Sequence, residues 1–202
     1  LRAQLGIPPQ APVGLYCGAL YAEKRLELLV AAAQTARGAG LDLHVLVIGD
    51  GPMGPWLRDR AAERPWLHAL GARHGVPKAA AFATADVVLN PGLVGLHVLD
   101  AFAAGLPLIT TRDAAHSPEI AYLQDGINGV LADGNAAAFA AACAGLLADP
   151  ARRARLATAA SAAADRLTVA HMAQRFAHGI VECLGAPPLV RAAHRLAGAG
   201  PA

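Results

Sequence analysis

The sequence is poor in aromatic and charged side chains. Phe, Trp and Tyr together make up 4% of the 202 residues, and Asp, Glu, Lys and Arg make up only 16%. The formal net charge is +2, and the basic residues are not concentrated in one stretch. Nucleic-acid-binding domains usually carry a basic patch or stripe. We therefore expect no nucleic-acid partner, whereas small anionic ligands remain compatible with the composition.

Long apolar runs are also missing, although apolar residues reach 55% of the chain. No run approaches the roughly 18 to 20 residues that are needed to cross a bilayer. Much of the apolar content is alanine, which has the highest helix propensity of all residues. The apolar residues therefore indicate a packed interior, and we expect a soluble protein.

Cysteine is scarce, with only Cys17, Cys143 and Cys183. Their odd number and wide spacing, without a CxxC pair or an amino-terminal signal peptide, indicate reduced thiols in the core and a cytoplasmic protein. The sequence also contains no HExxH motif or paired-carboxylate spacing of the kind that binds metals. We therefore expect neither a metal ion nor a resident cofactor.

Short apolar segments alternate with helix-like segments over most of the chain. This alternation predicts right-handed βαβ units and hence a Rossmann-like α/β fold, with an open, mostly parallel sheet and helices on both faces. Two more helices are predicted after Asp149, ending at Gly185. The predicted strands are VGLYCGAL, LHVLVIG, LHALGA, DVVLN, LPLITT and GVLAD, and the predicted helices lie near residues 23–38, 54–64, 77–84, 95–104, 117–123 and 135–148.

The sequence divides into three parts. Residues 1–12 are interpreted as a linker from a missing amino-terminal domain, because the sequence begins abruptly and without an initiator methionine. Residues 13–185 are predicted to form one domain, which suits the length of the chain. Residues 186–202 are rich in Pro, Gly and Ala without an apolar face, which predicts a flexible or docking tail.

The segment Gly49-Asp50-Gly51-Pro52-Met53-Gly54 matches G-x-G-x-x-G. In dinucleotide-binding folds this pattern follows the first strand, and an acidic residue about 20 positions later binds the ribose. Here a predicted strand and helix precede the loop, and the next strand ends without Asp or Glu. An NAD(P)-dependent oxidoreductase, with Arg73 serving NADP, is therefore the weaker alternative, and a turn without a ligand is another.

Six segments, taken in order, resemble the carboxyl-terminal, nucleotide-sugar-binding half of retaining GT-B glycosyltransferases of family 4 (glycosyl transferases group 1). The likeness extends from about Val13 to about Ala160. The segments are LYCGALYAEKRLELLVAAA, HVLVIGDGP, LGA, ADVVLNPG, GLHVLDAFAAGLPLITT and PEIAYLQDGINGVLADGNAAAFAAACAGLLADP.

The resemblance implies a nucleoside-diphosphate sugar as donor substrate, with UDP or GDP as the nucleotide, and no metal. It also implies an acceptor site and a catalytic histidine in a missing amino-terminal domain. We therefore expect the isolated chain to bind donor without transferring sugar, and any peripheral membrane association to occur only through that missing domain.

The resemblance assigns catalytic roles to Lys24 and Asp100. Lys24 matches the lysine whose charge offsets the negative charge on the leaving diphosphate; it lies in the predicted first turn of a helix, where a cation is otherwise unfavourable. Asp100 matches the second of two glutamates eight positions apart and would accept hydrogen bonds from ribose hydroxyls. The first glutamate falls on Gly92, which has no side chain.

A second departure is Ala19, which occupies the place of an arginine that many relatives pair with the lysine. Arg73 or Arg112 could supply the missing charge, or the site could bind the donor weakly; the sequence does not distinguish these alternatives. Because Gly92 and Ala19 both replace charged residues, a noncatalytic module that binds a nucleotide or a sugar is a second hypothesis for the function.

Further residues are predicted to bind the donor. The amides of residues 94–96, at a helix amino terminus, would bind diphosphate, and His97 shares a helix face with Asp100. His116 and Glu119 follow a strand, although Glu119 is equally well explained as an acid at a helix start. The full predicted donor-binding set is Gly18, Gly49, Gly51, Pro52, Arg73, Val94, Gly95, Leu96, His97, His116 and Glu119.

Overall fold

The structure, a computed structural model, describes residues 1–185. It forms two compact units, of which the first is Leu1–Ala164 and the second begins at Asp165. The elements are β1 (Val13–Cys17), α1 (Leu26–Gly38), β2 (His44–Ile48), α2 (Gly54–Ala62), β3 (Leu67–Gly71), α3 (Gly75–Thr84), β4 (Val87–Asn90), α4 (His97–Ala103), β5 (Leu108–Thr111), β6 (Gly129–Ala132), α5 (Ala136–Leu147), α6 (Pro150–Ala164) and α7 (Val169–Gly185). Three short 3-10 helices cover Ala3–Leu5, Ala22–Lys24 and Pro118–Tyr122.

The six strands form one parallel sheet in the order β3-β2-β1-β4-β5-β6. The Rossmann-like α/β fold predicted from the sequence is therefore confirmed. The strand order reverses between β1 and β4, because the chain runs outward from β1 to β3 and then returns to the other side of β1. In open parallel sheets, ligands bind at the carboxyl ends of the strands at such a switch point. The segments that follow Cys17 and Asn90 meet there.

The sheet is the centre of the core of the first unit. Every residue of β1, β2, β4 and β5 is buried, as expected for a parallel sheet that is covered by helices on both faces. Helix α1 packs against α5, and α4 packs against α6. The largest fully buried side chains are Tyr16, Phe102 and Phe139. Burial of an apolar side chain of this size contributes about 1.5 to 3 kcal/mol to folding.

Two predicted helices differ from the observed elements. Residues 117–123 form the 3-10 helix Pro118–Tyr122 instead of an α-helix. Helix α1 begins at Leu26 rather than at residue 23, because Arg25 has a left-handed backbone (φ 53°, ψ 47°) that ends the preceding 3-10 helix. Lys24 therefore lies before α1, and the prediction that it occupies the first turn of that helix is wrong.

The residues before β1 pack onto the first unit. The Arg2 guanidinium donates hydrogen bonds to the carbonyl oxygens of Ala11 (2.7 Å) and Thr84 (3.2 Å) and forms an ion pair with Asp86 at 3.4 Å. Ile7 is buried. The linker role of residues 1–12 stays a prediction, and the predicted tail, residues 186–202, lies outside the described residues.

The three cysteines are free thiols in different surroundings. Cys17 and Cys143 are buried, as predicted, whereas Cys183 on α7 is exposed, so the interpretation as a core thiol is wrong for Cys183. Among the helices within residues 1–185, none combines the length and the apolar character that a membrane span requires.

Candidate functional site

Lys24 ends the turn that follows β1, and its side chain is held in one place. The residue is 5% exposed. Its Nζ donates a 2.7 Å hydrogen bond to the carbonyl oxygen of Leu93 and lies 5.2 Å from the centroid of the Tyr21 ring. Burial lowers the pKa of Lys24, and the nearby charge of Glu119 acts in the opposite direction. The ammonium is thereby fixed between the ends of β1 and β4, at the switch point.

Buried polar side chains at the carboxyl ends of β4 and β5 form hydrogen bonds to the loop that follows β4. Thr111 Oγ1 donates to the Pro91 carbonyl oxygen at 2.7 Å. Asn90 Nδ2 donates to the carbonyl oxygens of Gly92 (3.1 Å) and Leu93 (3.2 Å). Each of these three carbonyls therefore has a donor, which removes the cost of burying them. Asn90 and Thr111, which make these hydrogen bonds, were not predicted. The signal that could have identified them is a polar residue at the end of an apolar strand.

Gly92 lies directly against the turn that carries Lys24. A Cβ atom added at Gly92 would overlap the carbonyl oxygen of Glu23 and the backbone of Lys24. The Leu93 N–H also donates to the Glu23 carbonyl at 3.0 Å, which keeps the two segments close together. The position that the resemblance assigns to a glutamate therefore has no room for a side chain.

The amides of residues 94–96 are not equivalent. The Val94 N–H donates to His116 Nδ1 at 3.2 Å, and His116 Nε2 lies 2.7 Å from the Thr111 carbonyl oxygen. These contacts require the tautomer in which Nε2 carries the proton. The prediction that all three amides are free is therefore wrong for Val94. The N–H groups of Gly95 and Leu96 have no acceptor within residues 1–185.

Helix α4 carries His97 and Asp100 one turn apart. His97 Nε2 is buried and has no hydrogen-bond partner in the described part of the chain. Burial lowers the pKa of His97 to about 4; the charges of Lys24 and Lys78 act in the same direction, and that of Asp100 opposes them. Asp100 Oδ2 accepts a 2.8 Å hydrogen bond from Lys78 Nζ on α3. Lys78 was not among the predicted residues, because its partner is distant in sequence and no local motif marks it.

Glu119 lies in the 3-10 helix after β5. The Ser117 N–H donates to the Val94 carbonyl oxygen at 3.3 Å, which ties this segment to the loop before α4. Glu119 Oε2 is buried without a hydrogen-bond partner among the described residues. An unpaired buried carboxylate oxygen is costly, so this atom is an acceptor that a ligand could satisfy.

A cavity of about 250 Å³ opens where β1, β2 and β3 end. It brings together three of the predicted residues, Gly18, Gly49 and Arg73, with Ala19 and the unpredicted Lys78. The other predicted residues lie outside its lining. Arg112, the other candidate for the missing charge, forms an ion pair with Asp125 at 2.6 Å and does not line this cavity.

The glycine loop is explained by close packing of two backbones. Gly49 and Gly51 have φ values of 147° and 151°, and a Cβ atom at either would overlap the segment from Gly18 to Leu20. The Leu20 N–H donates to the Asp50 carbonyl oxygen, and the Met53 N–H donates to that of Leu20, both at 2.9 Å. Pro52 lies in the same turn. The loop follows β2, and β3 ends at Gly71 without an acid, so the conditions for a dinucleotide fingerprint are not met.

Comparison with known proteins gives both a family and a fold. Residues 11–149 match the family described as glycosyl transferases group 1. The chain is 34% identical over 188 residues to the D-inositol 3-phosphate glycosyltransferase of Stackebrandtia nassauensis, covering 85% of this chain and 42% of that protein. It is 32% identical over 106 residues to the GDP-mannose-dependent alpha-(1-6)-phosphatidylinositol dimannoside mannosyltransferase of Mycobacterium tuberculosis, covering 50% of this chain and 27% of that protein.

The chain thus spans less than half the length of these relatives. Among solved structures, Anabaena HepE in complex with UDP has a TM-score of 0.74 at 22% identity, covering 90% of this chain and 51% of HepE. That likeness shows a shared fold. The family match covers well over half of the residues of this chain, and the chain therefore belongs to the glycosyl transferases group 1 family.

Proposed function

We propose that this chain is the donor-binding half of a retaining glycosyltransferase of family 4, and that it binds a nucleoside-diphosphate sugar with UDP or GDP as the nucleotide. The observation that carries the proposal is the position of Lys24 Nζ, 2.7 Å from the Leu93 carbonyl oxygen in the same loop that carries Gly95 and Leu96, whose amides have no acceptor within residues 1–185. An ammonium and unpaired amides at the end of a parallel sheet are suited to bind an anion.

The chemistry follows from the charge that develops during the reaction. When the bond between the anomeric carbon and the diphosphate breaks, its electron pair leaves with the diphosphate, and the negative charge on that group increases. Lys24 stabilises this charge, and it does so more strongly in a buried environment than in water. The N–H groups of Gly95 and Leu96 donate to the same group, and Asp100 accepts from the ribose hydroxyls.

The donor sugar needs a different partner from the one that the family resemblance implies. Gly92 provides no side chain, and the packing against Lys24 leaves no space for one. Glu119 Oε2 is a buried acceptor without a partner among the described residues, and its charge acts on Lys24. We propose that this oxygen accepts a hydrogen bond from a hydroxyl of the donor sugar, while His116 accepts from the Val94 N–H and so holds the loop before α4.

The proposal is tested by calorimetric titration of the chain with UDP and GDP, followed by UDP-glucose and GDP-mannose. Binding of at least one nucleotide at micromolar to millimolar concentration is expected, because the site offers a cation and two free amides. NADH fluorescence serves as a control and should not increase on mixing. Absence of binding of all four compounds at millimolar concentration would contradict the proposal.

The same proposal extends to the parts of the protein that the chain does not include. The acceptor site and the catalytic histidine belong to an amino-terminal domain, and any association with a membrane occurs through that domain. The protein is cytoplasmic, needs no metal or other cofactor, and does not bind nucleic acid. The chain alone therefore binds donor but transfers no sugar. Release of glucose or mannose from the donor by the chain alone, at an enzymatic rate, would refute this part.

A noncatalytic binding module is the second candidate function. It is favoured by Ala19 and Gly92, which stand where the family resemblance implies an arginine and a glutamate. A full-length protein that binds donor with the expected affinity, yet neither hydrolyses nor transfers the sugar with any acceptor offered, would support this candidate over the transferase.

A further inference from the structure

Lys78 lies on α3 and lines the cavity that opens at the ends of β1, β2 and β3. Its Nζ is 2.8 Å from Asp100 Oδ2, and the two side chains are 30% and 42% exposed. Its charge acts on Cys17, whose pKa is raised mainly by burial and lowered in part by Lys78. It also acts on His97. Lys78 lines one cavity with Cys17 and Gly18 at the end of β1 and pairs with Asp100 on α4, so it lies near both sides of the switch point.

The cavity that Lys78 lines has an excess of positive charge. Among the described residues that line it, Lys78 and Arg73 are cationic and Asp50 is acidic. Asp50 Oδ1 already accepts a 2.8 Å hydrogen bond from the Gly51 N–H. Ala19 lies in the same lining, at the position where the resemblance implies an arginine. A concave surface with this balance of charge attracts an anionic ligand.

The pairing of Lys78 with Asp100 has little value for folding. A partly exposed ion pair adds little to stability, because both groups are well solvated when they are apart. The ion pair does, however, hold the Lys78 ammonium in place. One of its three N–H donors is used by Asp100, and the other two remain for a ligand. Arg73, in contrast, is exposed and has no ion-pair partner among the described residues. An anchored cation loses less conformational freedom when it binds a ligand.

We propose that Lys78 is a donor-binding residue, which contacts the diphosphate of the nucleoside diphosphate and supplies the positive charge that is missing at Ala19. The inference rests on the proposed function and deepens it, because it adds a second cation, carried by α3, to the one on the turn after β1. Asp100 then has two tasks: it accepts from the ribose, and it holds Lys78 in position.

The experiment compares Lys78→Gln and Lys78→Arg with the unchanged chain. Calorimetry gives the affinity for UDP and GDP, and saturation-transfer NMR at millimolar concentration gives the binding of uridine and guanosine, which lack the diphosphate. For Lys78→Gln we expect affinity for the diphosphates to fall about tenfold to hundredfold, with little change for the nucleosides. Lys78→Arg should retain most of the affinity, because it keeps the charge.

A matched control is Arg155→Gln, which removes a cation from the exposed surface of α6. It should leave the affinity for UDP and GDP unchanged, and thermal unfolding checks that each variant is folded. Diphosphate affinity that is unaltered in Lys78→Gln would overturn this inference and leave the proposed function intact. An equal loss for nucleosides and diphosphates would also overturn it, because Lys78 would then act only by orienting Asp100. If the unchanged chain binds no nucleotide, the proposed function fails and this inference fails with it.

Discussion

The Lys24 ammonium lies 2.7 Å from the carbonyl oxygen of Leu93, so one hydrogen bond joins the turn after β1 to the loop after β4 across the point where the strand order reverses. The carbonyl also accepts from Asn90. An ammonium has three N–H donors. Lys24 can therefore keep its bond to Leu93 while it donates to a diphosphate in the same site.

Replacement of Lys24 by Met removes this charge with little change in length. We expect the affinity for UDP and GDP to fall about tenfold to hundredfold, because a charge-assisted contact is lost. The melting temperature should change little, since Asn90 still satisfies the Leu93 carbonyl and a buried charge is removed. Calorimetry and thermal unfolding measure the two effects. If the Met variant binds as well as the unchanged chain, the assigned role of Lys24 is wrong.

Glu119→Gln tests the carboxylate assigned to the donor sugar. The affinity for UDP-glucose or GDP-mannose should fall about tenfold, because a hydrogen bond to a charged acceptor is worth about 1.5 kcal/mol or more. The affinity for UDP and GDP, which carry no sugar, should stay the same or increase, since a negative charge near the diphosphate has been removed. Equal changes for both kinds of ligand would assign Glu119 to the diphosphate or to the fold instead.

Gly92→Ala tests the close packing between the two segments. The added methyl group would overlap the backbone of Glu23 and Lys24, so we expect a loss of about 1 to 3 kcal/mol in the free energy of unfolding and a melting temperature several degrees lower. Gly95→Ala is the matched control, because a Cβ atom there meets nothing within 4 Å. Equal stability of the two variants would contradict the packing that the structure describes.

Two histidines should make the chain less stable in acid. Burial lowers the pKa of His68 to about 4, aided by His44, whose Nδ1 lies 3.0 Å from His68 Nε2; the pKa of His97 is lowered to about 4 as well. The unfolded chain binds more protons between about pH 6.5 and pH 4, since an unperturbed histidine titrates near 6.5. The contribution of these two histidines to the free energy of unfolding should therefore be fully present above this range and should be lost as the pH is lowered through it.

Each of these histidines can contribute a slope of at most about 1.4 kcal/mol per pH unit within that range. Denaturant unfolding at a series of pH values measures the slope, and His68→Gln and His97→Gln should each reduce it. A stability that does not change between pH 6.5 and pH 4 would mean that neither histidine is buried in its neutral form.

The sequence predicted the sheet well because four of its six strands are fully buried. Segments such as VGLYC and HVLVI are apolar without alternation, and this pattern is typical of parallel strands that are covered on both faces. The helix starts were less accurate. Arg25 adopts a left-handed conformation that glycine usually takes, and nothing in its residue type indicates that a helix starts after it.

Local motifs in the sequence marked individual candidate residues, but they did not mark the contacts between residues that are distant along the chain. Lys24 and Asp100 were singled out by resemblance and lie on the two sides of the switch point. The Lys78–Asp100 pair, and the use of the Val94 N–H by His116, each join residues 22 positions apart in sequence. Only the packing of α3, α4 and the segment after β5 brings these groups together.

The conformation of Arg25 also has a consequence for how the turn that carries Lys24 is anchored. Arg25 Nη1 is 3.0 Å from Asp113 Oδ1, so the residue next to Lys24 is bound to the same stretch of chain that leads to Glu119. The left-handed backbone at Arg25 ends the 3-10 helix that carries Lys24. One residue therefore both sets where this turn ends and ties the turn to the segment that follows β5.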